Sequence, residues 1–387
     1  MKVLKEDGAL PIKMWLTELE PSALEQAQAL ARLPFAFHHI ALMPDAHTGF
    51  GMPIGGVLAT EDVVVVNAVG VDIGCGVNAV KSDVLIESAT YDKVKQVIGR
   101  LRKTIPVGRN SQPHPVDVKR MPSRSPPELP VILKEYEHAR MQMGTLGGGN
   151  HFVELQAGDD GFVWLMLHSG SRNLGHSIGT HYHELAVKEL KLYPSRIPQD
   201  LAPLSVDSKS GQSYLKEMNW AMEYAFSNRK MMMENFQDAV REVFGGARFA
   251  EMINIAHNFA SPETHFERKV WVHRKGATWA KEGMFGIVPG SQGTASYVVK
   301  GKGNKESFES CSHGAGRTMS RSDARKNLKM EDEIKRMEGI VNSIAYDGVK
   351  ALDEAPSAYK DIETVMSNQA DLVEPVVRLR PLGVLKG

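Results

Sequence analysis

The sequence has little cysteine and no long apolar run. Cys75 and Cys311 are its only cysteines; they could form one disulfide, but such low cysteine content is typical of a reducing compartment. No uninterrupted apolar stretch approaches the ~20 residues of a membrane-spanning helix. Lys5, Glu6 and Asp7 occupy the place where a signal peptide would have its apolar core. The sequence therefore predicts a cytoplasmic protein outside the membrane.

An excess of charge of one sign is also missing. The 46 Lys and Arg residues balance 46 Asp and Glu residues, so the formal net charge is zero. This balance argues against a globally basic nucleic-acid-binding protein, although it leaves room for a local basic groove. Hydrophobic and charged contents of 42% and 24% are ordinary for a globular protein.

Short valine-rich runs between glycine turns predict strands of a buried sheet. They occupy residues 36–85, and further strand patterns follow at 151–155, 162–168 and 270–299. Helical spacing of apolar residues predicts helices over 88–103, about 179–192, 213–244 and about 320–352. Ser320 is a candidate N-terminal cap for the last helix. The Met231–Met233 run is interpreted as core packing.

The candidate site residues are spread over most of the chain, so a division into domains would divide the site. We therefore predict one large α+β domain over residues 1–387, with mixed β-sheets and flanking helices. The proline-rich segment at about 106–130 has no periodicity and is predicted to be a surface loop.

Side chains with metal-binding chemistry lie in turns rich in glycine or other small residues. They are Asp72 and Cys75 in VDIGCG, His151 in GGGNHFVE, His168 in LHSGSR and His257 in IAHN. Carboxylate, thiolate and imidazole together suit a transition metal rather than magnesium or calcium. Five ligands exceed the need of one tetrahedral site, and a dinuclear site bridged by Cys75 would use them all. A buried structural cysteine and core histidines explain the same residues, and composition does not decide between the two readings.

A second pattern, SHGAGR at 312–317, places His313 in a glycine loop before a predicted helix. Backbone N–H groups of such a loop can hold phosphate oxygens, and His313 beside them could attack or protonate a phosphoryl group. Arg317, Arg321 and Arg325 would lie on one face of that helix and add phosphate donors. An ordinary solvated helix face is the alternative.

Two further turns are weaker signals. The segment 287–297 (IVPGSQGTASY) suits a nucleotide, although a Gly-Ser turn needs no ligand. The segment 43–56 (MPDAHTGFGMPIGG) lacks the strand–GxGxxG–helix context of a dinucleotide fingerprint, so we reject a Rossmann interpretation.

Taken together, these motifs identify a resemblance. MPDAHTGFGMPIGG, VGVDIGCG, LGGGNHFVE, MLHSGSR, AHN, PGSQG, SHGAGR and a final LKG occur in the order typical of the RtcB family of RNA-splicing and repair ligases. The resemblance extends from PIKMW near the N-terminus to the last residues. Each motif alone is a moderate signal, but the ordered set is very specific. The length is near that of the shorter, bacterial-type members.

The resemblance implies a GTP- and Mn²⁺-dependent RNA ligase. Such an enzyme joins an RNA 3′-phosphate or 2′,3′-cyclic phosphate to a 5′-hydroxyl, in RNA repair or tRNA splicing. His313 would form a histidine–GMP intermediate, and GMP would pass to the RNA 3′-phosphate to give RNA-3′-pp-5′-G. The 5′-hydroxyl would then displace GMP.

The resemblance also implies site residues. Cys75 would bridge two manganese ions per chain, one also held by His151 and His168 and the other by Asp72 and His257. Arg172, Arg317 and Arg321 are candidates for phosphate or RNA contacts. The predicted nucleotide contacts are Asn150, His151, Phe152, Val153, Glu154, His257, Asn258, Pro289, Gly290, Ser291, Gln292, Ser296, His313, Gly314, Ala315, Gly316 and Lys386.

The sequence departs from the family pattern at Gln292, where the turn commonly reads PGSM, and its 106–130 segment matches no motif of the family. We expect a monomer, with an archease-type activator as a possible partner. Two other functions stay open. One is a dinuclear phosphodiesterase or cyclic phosphatase that forms no covalent GMP. The other is a noncatalytic RNA-binding or ribosome-associated factor, which would not need all five ligands and His313.

Overall fold

The protein is described by a computed structural model over residues 1–193 and 197–387. Its α-helices, numbered in chain order, are α1 (Pro21–Ala31), α2 (Tyr91–Thr104), α3 (Pro130–Gln142), α4 (Arg172–Glu189), α5 (Lys209–Phe244), α6 (Arg321–Asn327), α7 (Met330–Arg336), α8 (Ile344–Asp347) and α9 (Ile362–Asn368). Its strands are β1 (Lys2–Leu4), β2 (Ile12–Met14), β3 (Ala36–His47), β4 (Ile54–Thr60), β5 (Val63–Val65), β6 (Gly76–Leu85), β7 (Phe152–Gly158), β8 (Phe162–Ser169), β9 (Pro203–Ser205), β10 (Ile253–Ala256), β11 (Asn258–His265), β12 (Arg268–Lys275), β13 (Ala277–Trp279), β14 (Phe285–Val288), β15 (Ser296–Gly301), β16 (Ser310–Ser312) and β17 (Val373–Lys386).

Two large sheets form the framework. One has the strand order β1-β2-β3-β4-β12-β11, and the other has the order β10-β6-β8-β7-β17-β15-β14. Their strand pairs are antiparallel except for β2 with β3. Helices lie beside these sheets instead of alternating with parallel strands, which confirms the predicted α+β class.

The longest helix, α5, shows how local sequence sets an element's ends. Ser208 accepts a hydrogen bond from the Gly211 N–H at the start of the helix, and Gly245 ends it with a φ of 78°. Met232 and Met233 are 0% and 1% exposed, which confirms the interpretation of the methionine run as core packing. This helix lies against strands of the seven-stranded sheet and therefore fixes one side of the site described below.

The helix predicted over about 320–352 is wrong. The chain forms the separate helices α6, α7 and α8, followed by a 3₁₀ segment, Gly348–Glu354. Leu328 leaves the helical region with a ψ of 144°, and Gly339 and Gly348 have positive φ, so an unbroken helix cannot continue through them. The predicted cap is confirmed, since Ser320 accepts from the Asp323 N–H at 3.1 Å.

Other predicted boundaries differ less. Helix α4 begins at Arg172, earlier than predicted, and α3 was not predicted at all. Between α2 and α3 the chain forms a short 3₁₀ turn, Val118–Arg120. Cys75 and Cys311 are buried free thiols, so the disulfide does not form. In the described residues, no helix combines the length and the apolar character required to cross a membrane.

Candidate active site

Sheet register brings four of the predicted ligands together at the same end of four neighbouring strands of the seven-stranded sheet, β10, β6, β8 and β7. Strand β6 begins next to Cys75, and its Val77 lies opposite His168 of β8. His168 also lies opposite Phe152 of β7, the residue after His151. Strand β10 pairs with the start of β6 and leads directly to His257. Antiparallel pairing therefore collects turns that are far apart in sequence.

Gly76 is necessary for this arrangement. A Cβ atom on Gly76 would lie 1.9 Å from the Ile255 carbonyl oxygen, so only glycine lets β10 approach β6 this closely. The glycine context of Cys75 thus reflects the close approach of the strand that carries His257.

The ligand cluster, defined as Asp72, Cys75, His151, His168 and His257, has its donor atoms in a continuous series. Cys75 Sγ lies 3.4 Å from His151 Nε2 and 3.2 Å from His168 Nε2. His151 Nε2 lies 3.1 Å from Asp72 Oδ2, and His168 Nε2 lies 3.3 Å from His257 Nε2. Cys75, His151 and His168 have mutual donor distances that suit a single ion. Asp72 and His257 lie on two sides of that group, and together with Cys75 they do not form a second group of equal compactness.

The protonation of the cluster suits a cation. Burial, followed by the charges of neighbouring histidines, holds the pKa values of His168 and His257 well below their usual value, so both are neutral at pH 7. His168 Nδ1 lies 3.2 Å from the Asn150 carbonyl oxygen, and donation to that oxygen leaves Nε2 with a free lone pair. Burial, followed by the charge of Asp72, raises the pKa of the Cys75 thiol well above its usual value. A bound cation would be needed to keep Cys75 as thiolate. A buried S, N and O donor set of this kind fits a transition-metal ion.

His313 lies beside this cluster and is held by Asp45. Its Nδ1 is 2.6 Å from Asp45 Oδ2, and its backbone N–H donates to the same oxygen at 3.1 Å. The ring centroids of His313 and His257 are 4.6 Å apart. Gly316, with a φ of 74°, permits the close approach, because a Cβ there would lie 2.2 Å from the Asp45 carbonyl oxygen. Asp45 thus fixes the ring so that Nε2 is the nitrogen free to react.

A cavity of about 670 Å³ opens over the ligand cluster and His313, within the size range of small-molecule sites. Most of the predicted nucleotide residues line it. They are Asn150, Phe152, Glu154, His257, Asn258, Pro289, Gly290, Ser291, Gln292, His313, Gly314, Ala315, Gly316 and Lys386.

Three residues predicted to contact nucleotide do not line this cavity. Val153 is fully buried in the core beneath β7. His151 is turned toward Cys75 and Asp72. Ser296 accepts a hydrogen bond from the Gly290 N–H at 3.1 Å, so its side chain supports the turn that does line the cavity.

The three predicted phosphate-binding arginines also differ in position. Arg317 and Arg321 line the cavity and pair with Glu354 at 3.4 and 2.8 Å. Arg172 donates to Thr145 Oγ1 and to the Gly108 carbonyl oxygen and does not line it. The prediction of a single helix face carrying Arg317, Arg321 and Arg325 is wrong, because α6 begins only at Arg321.

Two buried carboxylates in the cavity wall have opposite character. Burial raises the pKa of Glu154 to about 8. For Glu354, burial works in the same direction, but the charges of Lys386 and Arg321 prevail and hold its pKa below the usual value. Gln292 donates to the Glu354 carbonyl oxygen at 2.8 Å, so the residue that departs from the family pattern supports Glu354.

Sequence reasoning missed Asp45 and Glu354. Asp45 lies in MPDAH, a segment that we considered only as a dinucleotide fingerprint, and its position after the apolar run 40–43 was the available signal. Glu354 lies in the region that we predicted to be one long helix, and its sequence gives no local signal.

Comparisons with known proteins find relatives over nearly the whole chain. The family described as tRNA-splicing ligase RtcB matches residues 26–126 and 124–387. The chain is 38% identical to the RNA-splicing ligase RtcB of Escherichia coli K12, over 97% of both chains. It is 33% identical to the tRNA-splicing ligase RtcB of Archaeoglobus fulgidus, over 95% of this chain and 92% of the relative. It is also 33% identical to the RNA-splicing ligase RtcB of Mycobacterium bovis, over 94% of this chain and the full length of the relative.

Proposed function

Because the chain belongs to the RtcB family, we propose that it is a GTP- and Mn²⁺-dependent RNA ligase. It joins RNA 3′-phosphate or 2′,3′-cyclic phosphate ends to 5′-hydroxyl ends. Its similarity in length and sequence to the E. coli relative makes it a bacterial-type member. RNA repair or tRNA splicing is the proposed role, with RNA and GTP as partners.

One observation carries the proposal: His313, fixed by Asp45, lies beside the ligand cluster in the wall of a cavity large enough for a nucleotide. Asp45 accepts a hydrogen bond from the His313 Nδ1–H, so the lone pair on Nε2 is available to attack a phosphorus atom. Neutral imidazole is a good nucleophile near pH 7, and the resulting phosphoramidate is labile enough to pass its group onward.

The reaction then proceeds in three balanced transfers. His313 Nε2 bonds to the α-phosphorus of GTP as pyrophosphate leaves. An RNA 3′-phosphate oxygen attacks the same phosphorus, which breaks the N–P bond and gives RNA-3′-pp-5′-G. The RNA 5′-hydroxyl then attacks the 3′-phosphorus, GMP leaves, and a phosphodiester remains. A cyclic phosphate end is first hydrolysed to a 3′-phosphate.

The ligand cluster is proposed to hold two manganese ions, with Cys75 shared. His151 and His168 would complete one ion and Asp72 and His257 the other. Bound ions would neutralise the triphosphate and stabilise the charge of an in-line displacement. Support comes from the 3.1–3.4 Å series of donor atoms and from the neutral, buried state of His168 and His257.

Base recognition is assigned to the end of the cavity that contains Glu154 and Lys386. Guanine presents N–H donors on one edge and the O6 acceptor beside them. A Glu154 carboxyl oxygen would accept from the N–H groups, and Lys386 would donate to O6. Lys386 lies 3.7 Å from Glu354, so its ammonium is already held at this wall.

Phosphate and RNA contacts are assigned to the loop Gly314–Gly316 and to Arg317 and Arg321. Both arginines pair with Glu354, and their forked donors match phosphate geometry. Arg172 is retained as a candidate only for RNA contact, because it lies outside the cavity wall. We further propose that the protein is a monomer and that an archease-type activator is its partner.

Labelling with α-³²P GTP and Mn²⁺ tests this function. Wild-type protein should acquire a covalent label, and His313→Ala should lose it. His138→Ala is the matched control, because His138 is exposed on α3 and does not line the cavity. A wild-type protein that is loaded with metal, hydrolyses RNA cyclic phosphate and takes no label would overturn ligation in favour of a dinuclear hydrolase.

A further inference from the structure

The ligand-bearing turns rest on a buried pair of polar residues in the middle of α5. Asn228 and Arg229 are each 0% exposed. A helix crossing a core rarely carries an arginine there, because an unpaired buried charge is costly. These two residues therefore need a specific explanation.

Arg229 binds three segments that each lead to a different predicted ligand. Its Nη1 donates to the carbonyl oxygens of Gly74 at 2.8 Å and Ser169 at 2.9 Å. Its Nε donates to Asn254 Oδ1 at 2.7 Å. Gly74 precedes Cys75, Ser169 follows His168, and Asn254 lies on β10, which leads to His257. One guanidinium therefore fixes the spacing of three ligand-bearing segments.

Asn228 holds the remaining turns in the same way. Its Oδ1 accepts from the N–H groups of Gly144 and Thr145, at the start of the loop that leads to His151. Its Nδ2 donates to the Gly170 carbonyl oxygen at 3.1 Å. The two neighbours thus connect α5 to every segment that carries a predicted ligand.

Charge gives a second reason for Arg229. No carboxylate in the described residues lies within ion-pair distance of it, and its Nη2 has no hydrogen-bond partner there. The Phe226 ring lies 4.8 Å from the guanidinium carbon. Burial lowers the pKa of Arg229 to about 10, and negative charge on Cys75 and Asp72 would raise it. An ionised Asp72, and Cys75 as the thiolate that a bound cation would maintain, would therefore offset the charge of Arg229.

We propose that Arg229 is the positioning residue of the metal centre. It holds the Cys75, His168 and His257 segments at the separation that a metal ion requires. The inference rests on the metal-binding part of the proposed function and on no step of the ligation. Residues that orient metal ligands change metal affinity by about 10–100-fold when they are altered, and we expect an effect of that size.

Titration of the metal-free protein with Co²⁺ tests the proposal without any activity assay. Thiolate coordination gives a near-ultraviolet sulfur-to-cobalt absorption band, whose position and intensity report the geometry around Cys75. Arg229→Met removes all three hydrogen bonds at similar volume. Lys230→Met is the matched control, since Lys230 is the next residue of α5 and is exposed. Circular dichroism of each metal-free variant reports folding.

Arg229→Met should fold, bind Co²⁺ at least about tenfold more weakly and show a shifted or weaker band, while Lys230→Met matches wild type. If Arg229→Met fails to fold, Arg229→Lys and Asn254→Ala replace it. Lysine cannot span both carbonyl oxygens and Asn254, so each of these variants should shift the band.

Folded variants with wild-type affinity and band overturn the positioning role and leave the ligase proposal intact. A wild-type protein without the band overturns the metal centre and the inference together. A cobalt-binding wild type without GMP labelling overturns only the ligation.

Discussion

Two groups of side chains, one buried and one partly buried, lie close enough to hold an ion, yet they use their hydrogen-bonding capacity differently. One contains Cys75, His151 and His168, and the other contains Glu263, His265 and Glu309. Residue types and distances alone would rank the two groups as equal candidates. Their neighbours separate them.

In the second group, Glu263 has no acceptor site left for an ion. Its Oε1 accepts from Ser261, Arg274 and Trp279, and its Oε2 accepts from His265 at 2.9 Å and Arg274 at 3.1 Å. Burial opposes ionisation, but the Arg274 guanidinium prevails and holds the pKa of Glu263 well below its usual value. Arg274 already supplies the cation.

In the Cys75 group, donor atoms face one another and no side-chain cation is bonded to them. Arg229 lies behind the turns and donates to backbone carbonyls instead. His168 Nδ1 lies 3.2 Å from the Asn150 carbonyl oxygen, and donation to that oxygen leaves the Nε2 lone pair facing the cluster. The comparison favours the Cys75 group as the candidate for an external cation, because the Glu263 group already holds the Arg274 guanidinium.

The largest expected effect separates the two cysteines. Cys75→Ala should lower GMP labelling and RNA joining by at least about 100-fold, because the shared ligand is lost. Cys311→Ala should retain both, since Cys311 is a buried thiol that does not line the cavity. Bound manganese per chain, measured by atomic emission, should fall only in Cys75→Ala. Substantial joining by Cys75→Ala would refute the shared-ligand arrangement.

The second group should respond in stability instead of metal content. Arg274→Met leaves Glu263 buried without its cation, which should cost about 3–5 kcal/mol in the free energy of unfolding. Manganese content of the folded fraction should stay unchanged. Arg268→Met is the control, because Arg268 lies exposed on the same strand. Loss of metal from a folded Arg274→Met protein would show that the two groups are not independent.

Glu154 sharpens the comparison because it is a buried carboxyl group without a bonded guanidinium like the one that Arg274 supplies to Glu263. Its pKa is about 8 when folded against an ordinary 4.5, so the folded state keeps a proton that the unfolded state loses. The contribution of Glu154 to the free energy of unfolding is therefore greatest below about pH 4.5 and is lost as the pH rises to about 8. Metal-free wild type should lose about 3 kcal/mol between pH 5 and 8 relative to Glu154→Gln. Chemical denaturation at both pH values measures this, and equal losses in the two proteins would contradict the raised pKa.

The smallest expected effect concerns Lys386, whose partner Glu354 is itself shared among several cations. Lys386→Ala should weaken the apparent affinity for GTP about tenfold, the value of one charged hydrogen bond. Binding of RNA ends should change less. GTP-dependence of labelling, measured beside RNA binding, checks this, and an unchanged GTP affinity would argue against the assigned contact.

Much of the candidate site could be predicted because its proposed ligands occur in short motifs, with glycine or other small residues, that also carry the family resemblance. The α+β class and most strands followed from valine-rich runs. Asp45 could not be assigned, because a carboxylate orients His313 through tertiary contact and not through spacing. The region after Arg321 was misread because helical spacing of apolar residues outweighed Gly339 and Gly348. Arg229 carried no signal at all, since a single arginine within a helix is expected to face solvent.

Strand β17 lies between β7 and β15 and contributes Lys386 to the cavity. During synthesis, β7 and β15 leave the ribosome with open edges long before their shared neighbour is available. Nascent chains at that stage present two apolar strand edges and cannot use nucleotide, so chaperone protection should matter most immediately before residues 373–386 emerge.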